Sequence, residues 1–429
     1  MNNRIISLTI ALVLALSTSA ATIETDRTWY LAGEAIKVSV TADDASIAYA
    51  ELCDTKSLAA GVVIGLKDHK GSGTIELPAD LHSGYYVLSV YTRHSAKVES
   101  QLVAVVNPLR KSVDDDIEWV PSEESRGIIP EGQEHISLHL TPYTLHQENI
   151  RETEGHIIKA RVKNVYNGHT YKASQIRPSI GIVGKQIHYF EGQMINDSTA
   201  VFNTFGVEGK HPLVLSAVTG TNVTLPIEMI SPFAVLLPKQ LPHLVFHYNR
   251  NEVEARSLDM QRHQRARRQE TGDRSQETGD RSQETGDRSQ ELGDWRYDDT
   301  AFGTKPDLSY NLDEYRQFLT IREVLIEYVI CVSNIKIDDT PQLIVHIGQA
   351  PSTSLWPSLV LIDGMPVINV ERLLRYDARR VHYINIYGGD YTFGNGVYHG
   401  ILSIVTRSGR LTNYPTEPNT QYLEYDFPE

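Results

Sequence analysis

Ser358–Arg407 reads SLVLIDGMPVINVERLLRYDARRVHYINIYGGDYTFGNGVYHGILSIVTR. Three short apolar runs, Leu359–Ile362, Tyr383–Tyr387 and Ile401–Thr406, are joined by glycine-rich turns, the pattern of buried strands bounded by turn residues. Asp363-Gly364 stands where the first strand must reverse. An Asp-Gly pair supplies the positive φ angles that a tight hairpin needs, and Pro366 then restricts the exit direction. Glycines at 388, 389, 394, 396 and 400 allow a compact loop between two buried strands.

Upstream, Thr320 and Glu323 form a capping box. Ile321, Val324, Leu325, Tyr328 and Val329 share one helical face, with Tyr315 and Phe318 as a possible N-terminal extension. Ile335–Ile337 and Gln342–Ile347 read as strands. A helix followed by a few strands, with Val360-Leu361-Ile362-Asp363-Gly364-Met365-Pro366-Val367 and then Ile384-Asn385-Ile386…Gly388-Gly389…Phe393-Gly394…Gly400-Ile401-Leu402-Ser403-Ile404-Val405-Thr406, resembles the plug domain of TonB-dependent outer-membrane receptors. The resemblance implies a small globule of the kind that stoppers a barrel of about 22 strands. Asp363, Gly364, Pro366, Gly388, Gly389, Gly394, Gly400 and Thr406 carry it as structural motif residues. The sequence departs from the family at Asn385, where an acidic residue is usual, and at Gly388, where a basic one is usual. No TonB box is evident near the N-terminus. Only 23 residues (429 − 406) follow Thr406, so at most two spanning strands of about 9–11 residues are expected there, against about eight for the smallest barrel. The expectation is a plug-like domain without its own transport barrel. The ending Tyr422–Glu429 shows no helix cap or closing strand signal.

The start of the chain supports export. Arg4, the apolar run Ile5–Leu16 and the small residues Ser17–Ala21 form a secretory signal pattern. About 12 apolar residues are too few to span a bilayer, and no later run is longer, so no transmembrane helix is expected after signal removal. The expected location is the periplasm or the periplasmic face of the outer membrane. Ile23–Pro108 reads as a β-sandwich: Ile36, Val38 and Val40 alternate with Lys37 and Ser39, and Tyr86, Leu88 and Val90 share a strand face. Thr25-Asp26-Arg27…Tyr30…Gly33-Glu34…Ile36…Val38 and Leu77-Pro78…Leu81…Gly84-Tyr85-Tyr86-Val87-Leu88 are similar to macroglobulin-type domains. With the plug-like part, this looks like a class of exported Bacteroidota envelope proteins.

The rest of the chain reads as a second sandwich and linkers. His156–Tyr166 alternates into the hairpin turn Asn167-Gly168. Gln269–Ser289 repeats QETGDRS three times. That tract cannot bury enough surface to offset its ordering entropy, and is expected to be disordered. The expected class is mainly β: two β-sandwich domains plus a small α/β plug-like domain, separated by the repeat linker. The expected division is a signal peptide over 1–21, a macroglobulin-like sandwich over 22–108, an acidic linker over 109–134, a second sandwich over 135–232, a repeat-bearing linker over 233–309, the plug-like domain over 310–412 and a tail over 413–429.

Chemistry is sparse. There is no G-x-S-x-G elbow, H-E-x-x-H or P-loop. Cys53 is followed by Asp54-Thr55-Lys56, so the Cys-Gly-Glu-Gln motif of thioester macroglobulins is missing. Cys53 and Cys331 read as small buried hydrophobes rather than a disulfide. His243 and His247 are spaced i,i+4, but Pro242 and the run Leu244–Phe246 favour an extended segment over a metal-binding helix. No catalytic residue, cofactor or metal is expected, and a net charge of −14 argues against nucleic acid as a partner. The expected function is non-enzymatic binding or scaffolding in the envelope, with an outer-membrane β-barrel protein or another envelope protein as partner. The alternative is a macroglobulin-like protease- or peptide-interacting module.

Overall fold

The computed structural model describes residues 22–42, 45–93, 98–110, 152, 155–183, 187–220, 222–244, 249–262, 302–337, 340–347, 358–393, 396–409 and 417–428. The signal-like segment, the acidic linker, the QETGDRS repeats, His247 and Gly394 lie outside them. The chain is mainly β and divides into two compact units, residues 1–151 with 235–260, and residues 152–234 with 261–429.

The first unit contains strands β1 (Thr22–Thr25), β2 (Trp29–Leu31), β3 (Ala35–Thr41), β4 (Ile47–Cys53), β5 (Leu58–Gly65), β6 (Lys70–Glu76), β7 (Gly84–Tyr91) and β8 (Glu99–Val106). A three-stranded sheet β1-β3-β6 faces a five-stranded sheet β2-β8-β7-β4-β5. In β3 the alternation works as a half-buried strand requires, with Ile36, Val38 and Val40 buried and Lys37 and Ser39 exposed. Those side chains, with Ile75 of β6, pack against Ala48, Ala50 and Leu52 of β4 and Tyr86, Leu88 and Val90 of β7. The opposite face of the five-stranded sheet is also apolar: Leu31, Tyr85, Val87, Leu102, Ala104 and Val106 lie against Leu241, Leu244 and Val253. Val253 belongs to helix α1, residues 250–262. Part of the stretch expected as linker over 233–309 is therefore packed chain. An apolar outer sheet face needs a cover, and described residues of 235–244 and 249–260 provide it.

In the second unit, strands β9 (His156–Val162), β10 (Val165–Tyr166), β11 (His169–Thr170), β12 (Ile176–Ile182), β13 (His188–Glu191), β14 (Gln193–Asn196), β15 (Thr199–Thr204), β16 (Gly209–Thr219) and β17 (Ile227–Ile230) come first. Asn167 and Gly168 take φ of 48° and 78° between β10 and β11, as their hairpin turn demands. Then follow β18 (Leu308–Asn311), α2 (Ile321–Glu327), β19 (Val332–Ile337), β20 (Thr340–Val345), β21 (Leu359–Ile362), β22 (Met365–Pro366), α3 (Val370–Leu374), β23 (Val381–Phe393), β24 (Gly396–Thr406) and β25 (Gln421–Phe427).

The second sandwich stacks β13-β12-β16-β25 on β14-β15-β9-β17. Its outer strand β25 corrects the expected tail over 413–429. Gln421–Phe427 pairs antiparallel with Leu215–Gly209 of β16, and Tyr425 and Phe427 enter the core beside Phe202 and Leu213. The alternation Leu423, Tyr425, Phe427 against Tyr422, Glu424 and Asp426 is the strand signal, and it is completed by the free edge of a strand more than 200 residues upstream.

The α/β part is a five-stranded mixed sheet, β18-β23-β24-β21-β22, in which β21 runs parallel to β24. Its strands are near-continuous apolar runs because both faces are covered. Val360, Ile362, Ile384, Ile386, Leu402 and Ile404 point to a layer made by α2, α3 and the β19–β20 hairpin. The alternate residues Leu359, Leu361, Tyr387 and Ile401 point to Ile187 and Tyr189 around β13 of the sandwich. Helix α2 starts on the capping box, with Thr320 Oγ1 accepting from Glu323 N–H and Glu323 accepting from Thr320 N–H at 2.9 Å. Tyr315 and Phe318 do not extend it. Their rings pack on Tyr328 just past its end, at 4.6 and 5.4 Å between centroids.

Candidate functional site

The Asp363–Gly364 turn is buried. Asp363 and Gly364 take φ of 48° and 90°, the positive pair of a two-residue hairpin. Asp363 also does more than turn the chain. Its carboxylate accepts from Thr406 N–H at 2.7 Å and from Thr406 Oγ1 at 2.6 Å, tying the end of β21 to the end of β24. Two glycines then allow the turn to meet the sandwich backbone to backbone. A Cβ on Gly364 would collide with the Ile182 carbonyl oxygen, and a Cβ on Gly181 with the Gly364 carbonyl oxygen. Pro366 sits beside the same contact, its Cδ 3.0 Å from where a Gly181 Cβ would lie.

The other motif residues serve the sheet separately. Gly388 N–H donates to Asp307 Oδ2 at 2.6 Å, beside a bulge in the β23–β24 ladder. Gly389 has φ of 92° with open space around it. Gly400 has φ of 78°, and a Cβ there would lie 2.7 Å from Val345 Cβ of β20. Asn385 accepts from Ser309 Oγ at 2.6 Å. Asp363, Gly364, Pro366 and Thr406 thus share one locus, whereas Gly388, Gly389 and Gly400 shape the β23–β24 hairpin and its neighbours.

A second set of residues, not read from the sequence, holds the same seam. Arg177 of β12 binds Glu191 of β13 through both Nε and Nη2, at 3.2 and 3.0 Å. Tyr398 of β24 donates to Glu191 Oε2 at 2.5 Å, accepts from Arg177 Nη2 at 2.8 Å and lies 3.0 Å from the Tyr189 hydroxyl. Burial would lower the Arg177 guanidinium, but the Glu191 hydrogen bond together with the charges of Tyr398, Glu191 and Tyr189 outweighs it, and the net shift is upward. Burial and then the neighbouring Tyr189 push the Tyr398 phenol far above its usual range. Arg177 therefore stays charged and Tyr398 stays a protonated donor. Arg177 and Tyr398 are 221 residues apart, and no local pattern marks them as partners.

In the first unit, the residues of the macroglobulin resemblance form one local network. Tyr30 donates to Asp26 Oδ1 at 2.6 Å, Arg27 N–H donates to the Tyr30 hydroxyl at 3.0 Å, and Leu31 N–H donates to Glu34 Oε2 at 2.9 Å. Burial and then the hydrogen bond to Asp26 raise the Tyr30 phenol. Behind it, Glu51 is fully buried in an otherwise apolar strand. It accepts from Tyr91 Oη at 3.0 Å, from Val235 N–H at 3.1 Å and from Leu236 N–H. The single acid in IAYAELC was the available signal for this clamp. Cys53 and Cys331 are buried free thiols. Among the described residues, no group of three His, Cys, Asp or Glu side chains is placed to hold a metal ion, and no helix is long and apolar enough to cross a membrane.

No family model and no curated protein matches the chain. Solved structures are similar at low scores. A biofilm-associated protein BSP domain is 10% identical over 51% of this chain and 30% of its own, with a TM-score of 0.17. An Escherichia coli alpha-2-macroglobulin is 11% identical over 49% of this chain and 20% of its own, with a TM-score of 0.19. Fibronectin(III)-like modules of Clostridium thermocellum CbhA are 11% identical over 54% of this chain and 95% of their own, with a TM-score of 0.15. The chain thus spans less than a third of the first two. These neighbours are β-domain proteins, some of immunoglobulin or fibronectin type, and similarity at this level carries no activity across.

Proposed function

We propose that this chain is a non-enzymatic binding and scaffold module of the cell envelope, exported through its signal-like N-terminus. Its α/β sheet presents a surface to a β-barrel protein of the outer membrane carried on another chain. One observation carries the reading: α2 and its flanks are apolar on two sides. Ile321, Val324 and Leu325 are buried in the core. Leu319 just before the helix, Ile326 on it and Ile330 just past its end are 63%, 67% and 79% exposed. Exposed apolar surface of this kind marks contact sites. The plug-like motif on the adjoining sheet supports a barrel protein as the occupant. The immobilised full chain should retain an identified β-barrel protein from native outer-membrane extract, and Ile326→Asp with Ile330→Asp should abolish that retention. Failure to retain a barrel, or retention unchanged by the double substitution, overturns the proposal.

The second reading, a macroglobulin-like protease- or peptide-interacting module, is favoured by the Asp26–Tyr30–Glu34 network, which joins residues carrying that resemblance. It predicts that a trypsin-like protease cutting within 269–289 loses activity on large substrates. Cleavage with full protease activity retained removes it.

A further inference from the structure

A pocket of about 510 Å³ lies on the α/β part, lined by Glu371, Arg372 and Arg375 from α3 and its end, and by Tyr376, Asp377 and Arg380. Helix α3 buries Val370, Leu373 and Leu374, which turns Glu371, Arg372 and Arg375 outward. Asp377 then caps the short helical turn Ala378–Arg380, accepting from Arg379 N–H at 3.1 Å.

The charges in this pocket are unequally engaged. Glu371 has both oxygens held by Arg322 Nη2, at 3.2 and 3.0 Å. Asp377 has both oxygens held by Arg379, at 2.8 Å each, and that hydrogen bonding keeps its carboxyl below the usual range. Arg372 reaches the buried Glu417 at 3.1 Å. By contrast, Arg375 approaches Glu371 only at 3.9 Å, and Arg380 approaches Asp377 only at 3.8 Å. Both distances exceed hydrogen-bonding range. Among the charged residues that line the pocket, three arginines (372, 375 and 380) stand against two carboxylates (371 and 377), a balance of 3 − 2 = +1, on a chain whose net charge is −14.

We infer that this pocket binds a sugar phosphate, its phosphate held by Arg375 and Arg380. Guanidinium groups match phosphate in both charge and fork geometry. The surplus of positive charge in the lining favours an anion. The cavity falls within the range of about 300–1,000 Å³ usual for small-molecule sites, leaving room beyond the phosphate for an attached sugar, with Tyr376 and Asp377 on the wall. The surface around α2 is not needed for this inference, and Ile326→Asp with Ile330→Asp should leave the pocket's binding unchanged.

Titration of the full chain with a hexose 6-phosphate by calorimetry, at low and at physiological salt, tests the inference. Saturable binding is expected, weakened by salt, and weaker for inorganic phosphate and for the unphosphorylated hexose. Arg375→Gln and Arg380→Gln should each reduce affinity about tenfold, equivalent to about 1.4 kcal/mol. Arg161→Gln, on the exposed side of β9, should change nothing. Both pocket arginines are solvent-facing, so the variants should keep the wild-type unfolding curve. Absence of saturable binding, binding that survives the double Arg375→Gln/Arg380→Gln variant, or equal affinity for inorganic phosphate and hexose phosphate would each overturn the inference.

Discussion

Each sandwich is finished by a segment from far along the chain, but by different means. The first receives a cover over a sheet face. Residues 235–244 and 249–260 lie on the outside of the five-stranded sheet, tied by Glu51 at one end and at the other by Arg256, which forms a fork on Glu34 at 2.9 and 2.8 Å and lies over the Trp29 ring at 4.5 Å. The second receives a strand at a sheet edge, held by the backbone ladder of β16 and β25 and by two buried aromatic rings. A cover held by side chains depends on a few polar anchors. An edge strand depends on register and on the rings that register places inside.

That contrast can be broken first at Phe427, which is almost fully buried. Phe427→Ala should cost about 3–5 kcal/mol, read by denaturant unfolding of the full chain. A loss below about 1 kcal/mol would make β25 a loose addition rather than part of the core. Glu51→Ala comes next. It strands the N–H groups of Val235 and Leu236 and the Tyr91 hydroxyl, for about 2–4 kcal/mol, and it should open residues 235–262 to protease before the sandwich unfolds. Glu51→Gln keeps one acceptor and should recover part of the loss.

The seam inside the second unit sharpens the same point. Gly364→Ala meets both a positive φ and the Ile182 carbonyl, and should cost about 2–3 kcal/mol. Gly389→Ala meets only the positive φ, and should cost about 1 kcal/mol. Equal losses would mean that the turn does not bear on the sandwich as closely as its geometry indicates. The smallest effect is kinetic. Burial, then the Glu51 charge, push the Cys53 thiol up to about 12, so a thiol reagent at pH 8 should leave it unlabelled in the folded protein. Faster labelling in Glu51→Ala than in wild type is expected, since the substitution removes both that charge and a wall of the site; unchanged labelling would mean that Glu51 does not act on the thiol.

Much of the fold was written locally. The alternation at Ile36, Val38 and Val40, the capping box at Thr320 and Glu323, and the Asn167-Gly168 and Asp363-Gly364 turns each need only neighbours within a few residues, because φ preference and strand or helix period act over that range. The apolar runs of Ser358–Arg407 also marked those strands as buried. What they could not say was what covers them. Only the tertiary structure decided that Gly364 abuts the Ile182 carbonyl, that Tyr398 joins Arg177 and Glu191, that Glu51 anchors residues 235–236, and that the chain's last described strand completes a sandwich begun at His156. Those contacts join residues about 180 to 270 positions apart. A single residue's type constrains its own backbone and burial, whereas a distant partner is selected by which edge, face or buried charge the rest of the fold leaves unsatisfied.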